Sequence, residues 1–117
     1  MSNSLTEYEE CKVFANYLRE QWIRFSHIPN STWTPSWGQR TKNKLLWVSS
    51  WFPDYIIIVP TKEKWLQMVY IEMKVAKWWT ISENQYSWIR SIESCWQIVT
   101  VCKWSQEAIE YVKSLMS

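Results

Sequence analysis

The sequence predicts a single α/β domain built around a central β-sheet. With 117 residues, 47% of them hydrophobic and 21% charged, the chain has the size and composition of one compact domain and not of a disordered protein. The spacing of the apolar residues changes between helical and strand periods in the order α-β-β-β-α-β-α over residues 1–117. A purely apolar strand in the middle of the chain indicates a sheet covered on both faces.

The first helix and strand are predicted from periodicity and end signals. Apolar side chains recur at helical spacing over residues 5–21, and Thr6 and Glu9 have the spacing of a capping box. Residues 23–28 then alternate as a short strand, which Pro29 ends.

The middle of the chain is predicted as a long loop followed by two strands. Residues 31–50 are polar and irregular, and a loop of this length in a small domain is usually functional or mobile. Residues 55–59 (YIIIV) lie between two prolines and form the central strand, and residues 67–76 form its antiparallel hairpin partner.

The last third is predicted to contain a helix, a strand and a second helix. One helix begins at Ser82, where Gln85 has capping-box spacing, and a strand covers residues 97–103. Ser105 then caps a final helix whose apolar stripe extends to Met116.

Composition limits where the protein acts and what it binds. No apolar run approaches the roughly 20 residues of a membrane span, and the polar, acidic beginning of the chain has no secretory signal. Three cysteines without a C-x-x-C pair fit a reducing cytoplasmic compartment, and a net charge of +2 requires any nucleic-acid binding to come from a local patch. We therefore expect a cytoplasmic protein without membrane association.

Two residue types have abnormal counts, because the chain holds 11 tryptophans and 1 glycine. Average glycine usage of about 7% would give roughly eight glycines in this length. Eight of the tryptophans lie at predicted helix ends, turns and tight connections, which are typical glycine positions. They are Trp22, Trp47, Trp51, Trp65, Trp78, Trp79, Trp96 and Trp104. Trp37 and Trp88 fit as tryptophan, and Trp33 fits either residue.

This distribution leads to a hypothesis about the genetic code of the source. If UGA is read there as glycine, the eight positions are glycine in the natural protein, and tryptophan stands in the sequence because UGA was translated as tryptophan. The alternative is a tryptophan-rich binding surface. The coding DNA separates the two, since only the first requires UGA at these positions.

Three acidic residues and a lysine form a candidate site. Glu72 and Lys74 are two apart on a predicted strand and share a face, while Asp54 opens the adjoining strand of the same hairpin. Glu7 extends the apolar stripe of the first helix towards the core. Clustered carboxylates suit Mg²⁺, and a nearby lysine can orient water and offset charge on a phosphate.

Each of these residues also has a structural explanation. A Glu-x-Lys sequence arises easily on a solvated strand face, but the apolar neighbours here favour a functional pair, because buried charge without a partner is costly. Gln85 is explained by the capping box alone, although it also heads the inward stripe of its helix. His27 has no partner at metal-ligand spacing and fits a structural or phosphate-contacting role.

At these residues the sequence resembles the virus-type replication-repair nuclease domain of the PD-(D/E)XK superfamily, over most of the chain. The resemblance is carried by Glu7 and by the segments FSHIPN (ending in Asn30), SWGQRTKNK, WVSSWFPDYIII, YIEMK and ISENQYSWI. The family has glycines before the aspartate and after E-x-K. This sequence has tryptophan there, at Trp47, Trp51, Trp78 and Trp79.

The resemblance implies a restriction-endonuclease-like PD-(D/E)XK core, in which a mixed central β-sheet is flanked by helices. It also implies a Mg²⁺-dependent DNA endonuclease, with Mn²⁺ as the alternative metal ion. It implies a homodimer that acts on branched or structured DNA in replication, repair or recombination, as small phage members do, in the cytoplasm of a phage-infected or bacterial host cell. It implies metal binding by Glu7, Asp54 and Glu72, with Lys74 catalytic and Gln85 accessory in the active site. Glu10 replaces Glu7 if the alignment of the first helix is shifted by one turn.

A basic segment is the candidate DNA-binding surface, although a solvated loop explains it equally well. The predicted DNA contacts are Asn30, Arg40, Lys42, Lys44 and Lys77. Two other interpretations stay open: a nucleic-acid-binding module on the same fold without cleavage, and an interaction protein with an aromatic surface.

Overall fold

The computed structural model describes residues 6–28, 36, 38, 42, 52–74 and 80–117. These residues contain three helices and four strands in the predicted order α-β-β-β-α-β-α. The elements are α1 (Glu7–Glu20), β1 (Arg24–His27), β2 (Tyr55–Val59), β3 (Gln67–Lys74), α2 (Glu83–Ser94), β4 (Ile98–Lys103) and α3 (Trp104–Met116). None of the helices in these ranges is long and apolar enough to cross a bilayer.

The four strands form one mixed sheet in the order β1-β2-β3-β4. β1 with β2 and β2 with β3 are antiparallel, and β4 is parallel to β3. The helix α2 connects the two parallel strands, because a parallel pair needs a crossover connection. The predicted α/β class, mixed sheet and β2–β3 hairpin are thus confirmed.

The main hydrophobic core lies between one face of the sheet and the helices α1 and α3. Tyr55, Ile57 and Val59 alternate along β2 and are fully buried, and the ring of Phe14 from α1 packs edge-on against Tyr55 at 5.0 Å. Ile56 and Ile58 point to the other face and are half-buried. The prediction of full cover on both faces was therefore wrong for β2, whose second face is partly open.

Helix beginnings follow the predicted signals in two of three cases. Thr6 and Ser82 form complete capping boxes with their partners three residues later. The predicted cap Ser105 was wrong, because α3 begins at Trp104 and its N-cap residue makes no side-chain cap hydrogen bond. Instead, the Ser105 N–H donates to the buried Glu10 carboxylate at 2.7 Å. A carboxylate from α1 thus satisfies an N–H group at the start of α3.

Parts of two predicted elements lie outside the described residues. Most of the segment 31–50 is among them, although Gly38 and Lys42 within it have helical backbone. β3 is described as far as Lys74, so residues 75 and 76 of the predicted strand also lie outside the described residues.

Candidate active site

Asp54 is fixed at the start of β2 by its main chain and its side chain. The fully buried Pro53 precedes it, and its carbonyl oxygen accepts a hydrogen bond from the Ile28 N–H at 2.6 Å. Its Oδ2 accepts a hydrogen bond from the Met73 N–H at 2.9 Å. The carboxylate is therefore held against β3 between Glu72 and Lys74.

Glu72 and Lys74 lie side by side at the end of β3, as the strand period predicts. Lys74 Nζ is 3.5 Å from Glu72 Oε2, and the two side chains retain only 17% and 9% of their exposure. An ion pair at this depth is poorly screened by water and is held in one geometry. The structure thus brings Asp54, Glu72 and Lys74 to one end of the hairpin.

Gln85 connects the lysine to the glutamate. Its Oε1 accepts hydrogen bonds from Lys74 Nζ at 3.0 Å and from the Ser82 N–H at 3.1 Å, and its Nε2 donates to Glu72 Oε2 at 3.0 Å. Gln85 therefore forms the capping box and contacts both charged groups at the same time. The capping box of α2 is what aims the buried amide at both charged groups.

The environment of Glu72 perturbs its pKa. Burial and the neighbouring Asp54 carboxylate raise the pKa of Glu72 to about 7, against the opposite effect of Lys74. Two adjacent carboxylates repel each other when both are ionised. A divalent cation bound between them would remove that repulsion, so the site has an electrostatic reason to take one.

The donor set of this site fits Mg²⁺. This ion takes oxygen ligands and is usually bound by one or two protein carboxylates together with waters and substrate phosphates. Asp54 and Glu72 supply two carboxylates. Across the described part of the chain, no three His, Cys, Asp or Glu side chains are arranged to ligate one ion. The predicted third ligand, Glu7, is therefore not assembled with the other two.

Glu7 and Glu10 occupy different environments on α1. Glu7 is exposed and lines an open groove of about 560 Å³ together with Asp54 and His27. Glu10 is buried, and its Oε1 accepts the hydrogen bond from the N–H group of Ser105. Of the two alternatives from the sequence, Glu7 is the one that lines the groove beside Asp54, and Glu10 joins α1 to α3.

Comparison with known proteins bears on the fold. The sequence matches no protein-family model and no curated protein. A solved structure described as a "VRR_NUC domain protein" has a similar fold, with a TM-score of 0.67 over 97% of this chain and 89% of that chain, at 18% identity. The chain has a VRR_NUC-like fold. This agrees with the restriction-endonuclease-like core implied by the sequence motifs.

The predicted DNA contacts are only partly described by the structure. Lys42 is exposed on helical backbone, whereas Asn30, Arg40, Lys44 and Lys77 lie outside the described residues. Their roles stay predictions.

No pattern in the sequence indicates the aromatic floor of the groove. The Tyr55 ring is fully buried between Phe14 and His27, and the His27 ring stacks on it at 4.6 Å with an angle of 12°. This contact favours the structural role of His27. The register that places His27 opposite Tyr55 depends on pairing across 28 residues of chain and leaves no local signal.

Proposed function

We propose that this protein is a Mg²⁺-dependent endonuclease that hydrolyses phosphodiester bonds in DNA. The observation that carries the proposal is the Lys74 ammonium group, held by Gln85 and Glu72 beside two adjacent carboxylates. Metal-dependent phosphodiester hydrolysis uses oxygen ligands for a divalent cation, and a fixed positive charge near the phosphate stabilises its transition state. The VRR_NUC-like fold supports a nuclease-type domain.

Asp54 and Glu72 would hold the metal ion, and Glu7 lines the groove that Asp54 borders. When bound, Mg²⁺ would supply Lewis-acid polarisation of the phosphate and activation of a water molecule. Lys74 places its ammonium group next to these carboxylates, where it stabilises negative charge that develops on the phosphate. Because Lys74 Nζ is already hydrogen-bonded to Gln85, this charge needs no reorganisation when the substrate arrives.

The substrate and assembly are proposed from the resemblance of the motifs to small phage nucleases. Branched or structured DNA from replication, repair or recombination is the proposed substrate, and a homodimer is the proposed form. Mn²⁺ would substitute for Mg²⁺, since both accept oxygen ligands. The proposed place of action is the cytoplasm of the bacterial or phage-infected cell.

A cleavage assay on linear, flapped and four-way DNA tests the proposal. Wild-type protein is expected to cut at least one of these DNAs with Mg²⁺, and EDTA or the substitution Asp54→Ala is expected to abolish cutting. The matched control is Glu63→Ala, which removes an exposed carboxylate from the β2–β3 turn and should leave the rate unchanged. Cutting that persists in EDTA would contradict the metal dependence. DNA binding without cutting would instead favour the non-cleaving module.

The basic segment gives a second measurable expectation. Neutralising Arg40, Lys42 and Lys44 together to alanine should weaken DNA binding and flatten its dependence on salt concentration. Each lost phosphate contact reduces the slope of log affinity against log salt by about 0.9. The control removes the exposed Lys62 and Lys64 from the β2–β3 turn, away from Asp54. An unchanged slope for the triple variant would mean that the segment is only a solvated loop.

A further inference from the structure

Tryptophan occupies the left-handed backbone positions in the described part of this chain. Among the described residues, the non-glycine residues with positive φ are Trp22 at 59°, Trp96 at 61° and Trp104 at 67°. A bulky side chain is a genuine outlier in this region, because its Cβ approaches the neighbouring backbone too closely. Glycine has no Cβ and adopts these angles freely. All three positions belong to the eight that sequence position alone indicates as glycine.

Trp22 ends α1 in a Schellman motif. Its N–H donates to the Arg19 carbonyl at 3.0 Å, and the Ile23 N–H donates to the Leu18 carbonyl at 2.9 Å. This pair of bonds requires a left-handed residue at the first position beyond the cap, where glycine is by far the most common residue. The Trp22 side chain is 94% exposed, so no packing compensates for the strained backbone.

Trp96 ends α2 in the same way. Its N–H donates to the Glu93 carbonyl at 2.9 Å, and the Gln97 N–H donates to the Ile92 carbonyl at 3.4 Å. Its side chain is 89% exposed. Two helices of the same chain therefore end in the motif that favours glycine, and both carry an unpacked indole there.

Trp104 lies in the direct connection from β4 to α3. No loop residue separates the strand from the helix, because β4 ends at Lys103 and α3 begins at Trp104. The backbone changes from the extended to the helical conformation at this one left-handed residue. The next N–H, that of Ser105, then meets the Glu10 carboxylate.

Trp88 shows how a tryptophan that belongs to this fold is placed. It lies inside α2 in an ordinary helical position, and its ring packs edge-on against Phe52 at 5.0 Å. The sequence pattern also predicts a genuine tryptophan at this position. Trp65 is exposed in the β2–β3 turn and its φ is not in the left-handed region, so its assignment to glycine depends on its turn position alone.

We propose that Trp22, Trp96 and Trp104 are glycine in the protein as its natural source makes it, because the source translates UGA codons as glycine. The same codon assignment extends to Trp65 and to four positions outside the described residues, Trp47, Trp51, Trp78 and Trp79. A tryptophan-rich binding surface would have no reason to select left-handed backbone positions. The inference is independent of the proposed nuclease activity.

The coding DNA and the natural protein test the proposal directly. In-frame UGA codons are expected at the eight positions, with UGG at Trp37 and Trp88, and peptide mass spectrometry of the protein from its source should find glycine at each UGA. UGG codons at Trp22, Trp96 and Trp104 would overturn the proposal.

Unfolding of purified variants tests the physical cause. The triple variant Trp22→Gly, Trp96→Gly, Trp104→Gly is expected to melt higher than the tryptophan protein, by at least about 4 °C for each position. The matching triple alanine variant should gain much less, because alanine keeps the Cβ that causes the strain. Trp88→Gly should melt lower, since it removes a packed ring from a helix. Equal gains for the glycine and alanine variants, or a lower melting temperature for the glycine variant, would overturn the proposed cause.

Discussion

Replacing Lys74 by methionine is expected to lower the rate of DNA cleavage at least about a hundredfold, the usual effect of losing one preorganised charge or hydrogen-bond donor beside a reacting group. Methionine keeps much of the length of the side chain but carries no charge. The Lys74 ammonium group is the positive charge that the structure holds beside Asp54 and Glu72, through Gln85 Oε1 at 3.0 Å and Glu72 Oε2 at 3.5 Å. DNA affinity should change little, because one lysine among several phosphate contacts contributes a small part of the binding.

A neighbouring lysine provides the matched control for this substitution. Lys103 pairs with Lys74 across β3 and β4 and is also half-buried. Lys103→Met should disturb the sheet about as much as Lys74→Met does. It should leave the cleavage rate near that of the wild type, because β4 lies one strand further from Asp54 than β3. If both methionine variants lose cleavage equally, Lys74 acts through the stability of the sheet. If neither loses it, the proposed role of Lys74 is wrong.

The sequence predicted those parts of the site that follow from local periodicity. Glu72 and Lys74 share a face because side chains alternate along any strand. Ser82 and Gln85 have capping-box spacing whatever surrounds the helix. The contact of Gln85 with both charged groups could not be predicted, since it depends on how α2 packs against the sheet.

Long-range contacts decide the remaining assignments. In the sequence Glu7 is the predicted ligand and Glu10 its alternative. The hydrogen bond that Glu10 accepts from the N–H of Ser105, 95 residues away, distinguishes them. The same bond replaces the predicted cap at Ser105. Helix ends were more predictable, because the signals at Trp22 and Trp96 concern only the last turn of each helix.

Glu72→Gln is expected to stabilise the fold above pH 7 and to remove the response of the protein to Mg²⁺. The pKa of Glu72 is raised from 4.5 to about 7 in the folded protein, first by burial and then by Asp54. Lys74 and Gln85 both contact the Glu72 carboxylate and favour its ionised form. Their effect does not cancel that of burial and of Asp54. Above pH 7 the folded protein therefore contains a carboxylate whose charge it disfavours, whereas glutamine has no charge to bury.

The direction of the pH dependence follows from the protons bound in each state. Between pH 4.5 and about 7 the unfolded chain has released the proton of Glu72 while the folded protein still holds it. The proton on Glu72 therefore stabilises the folded protein. This stabilisation is complete below pH 4.5 and is lost as the pH rises through 7, by up to roughly 3 kcal/mol in the free energy of unfolding. Glutamine at position 72 has no proton to lose in this pH range. The variant should therefore become more stable than the wild type only as the pH rises.

Urea unfolding at about pH 5 and about pH 8, each with and without Mg²⁺, measures both effects. The two proteins should be nearly equally stable at the lower pH, and Glu72→Gln should be the more stable at the higher pH without metal. Mg²⁺ should stabilise the wild type at the higher pH, because an ion that binds only the folded state shifts the equilibrium towards it. Mg²⁺ should leave the stability of the variant unchanged, because Asp54 alone provides one carboxylate.

Two results would contradict this prediction. Equal stabilisation of both proteins by Mg²⁺ would show that Glu72 is not a ligand. A difference in stability that does not change with pH would show that the buried charge of Glu72 is not its cause.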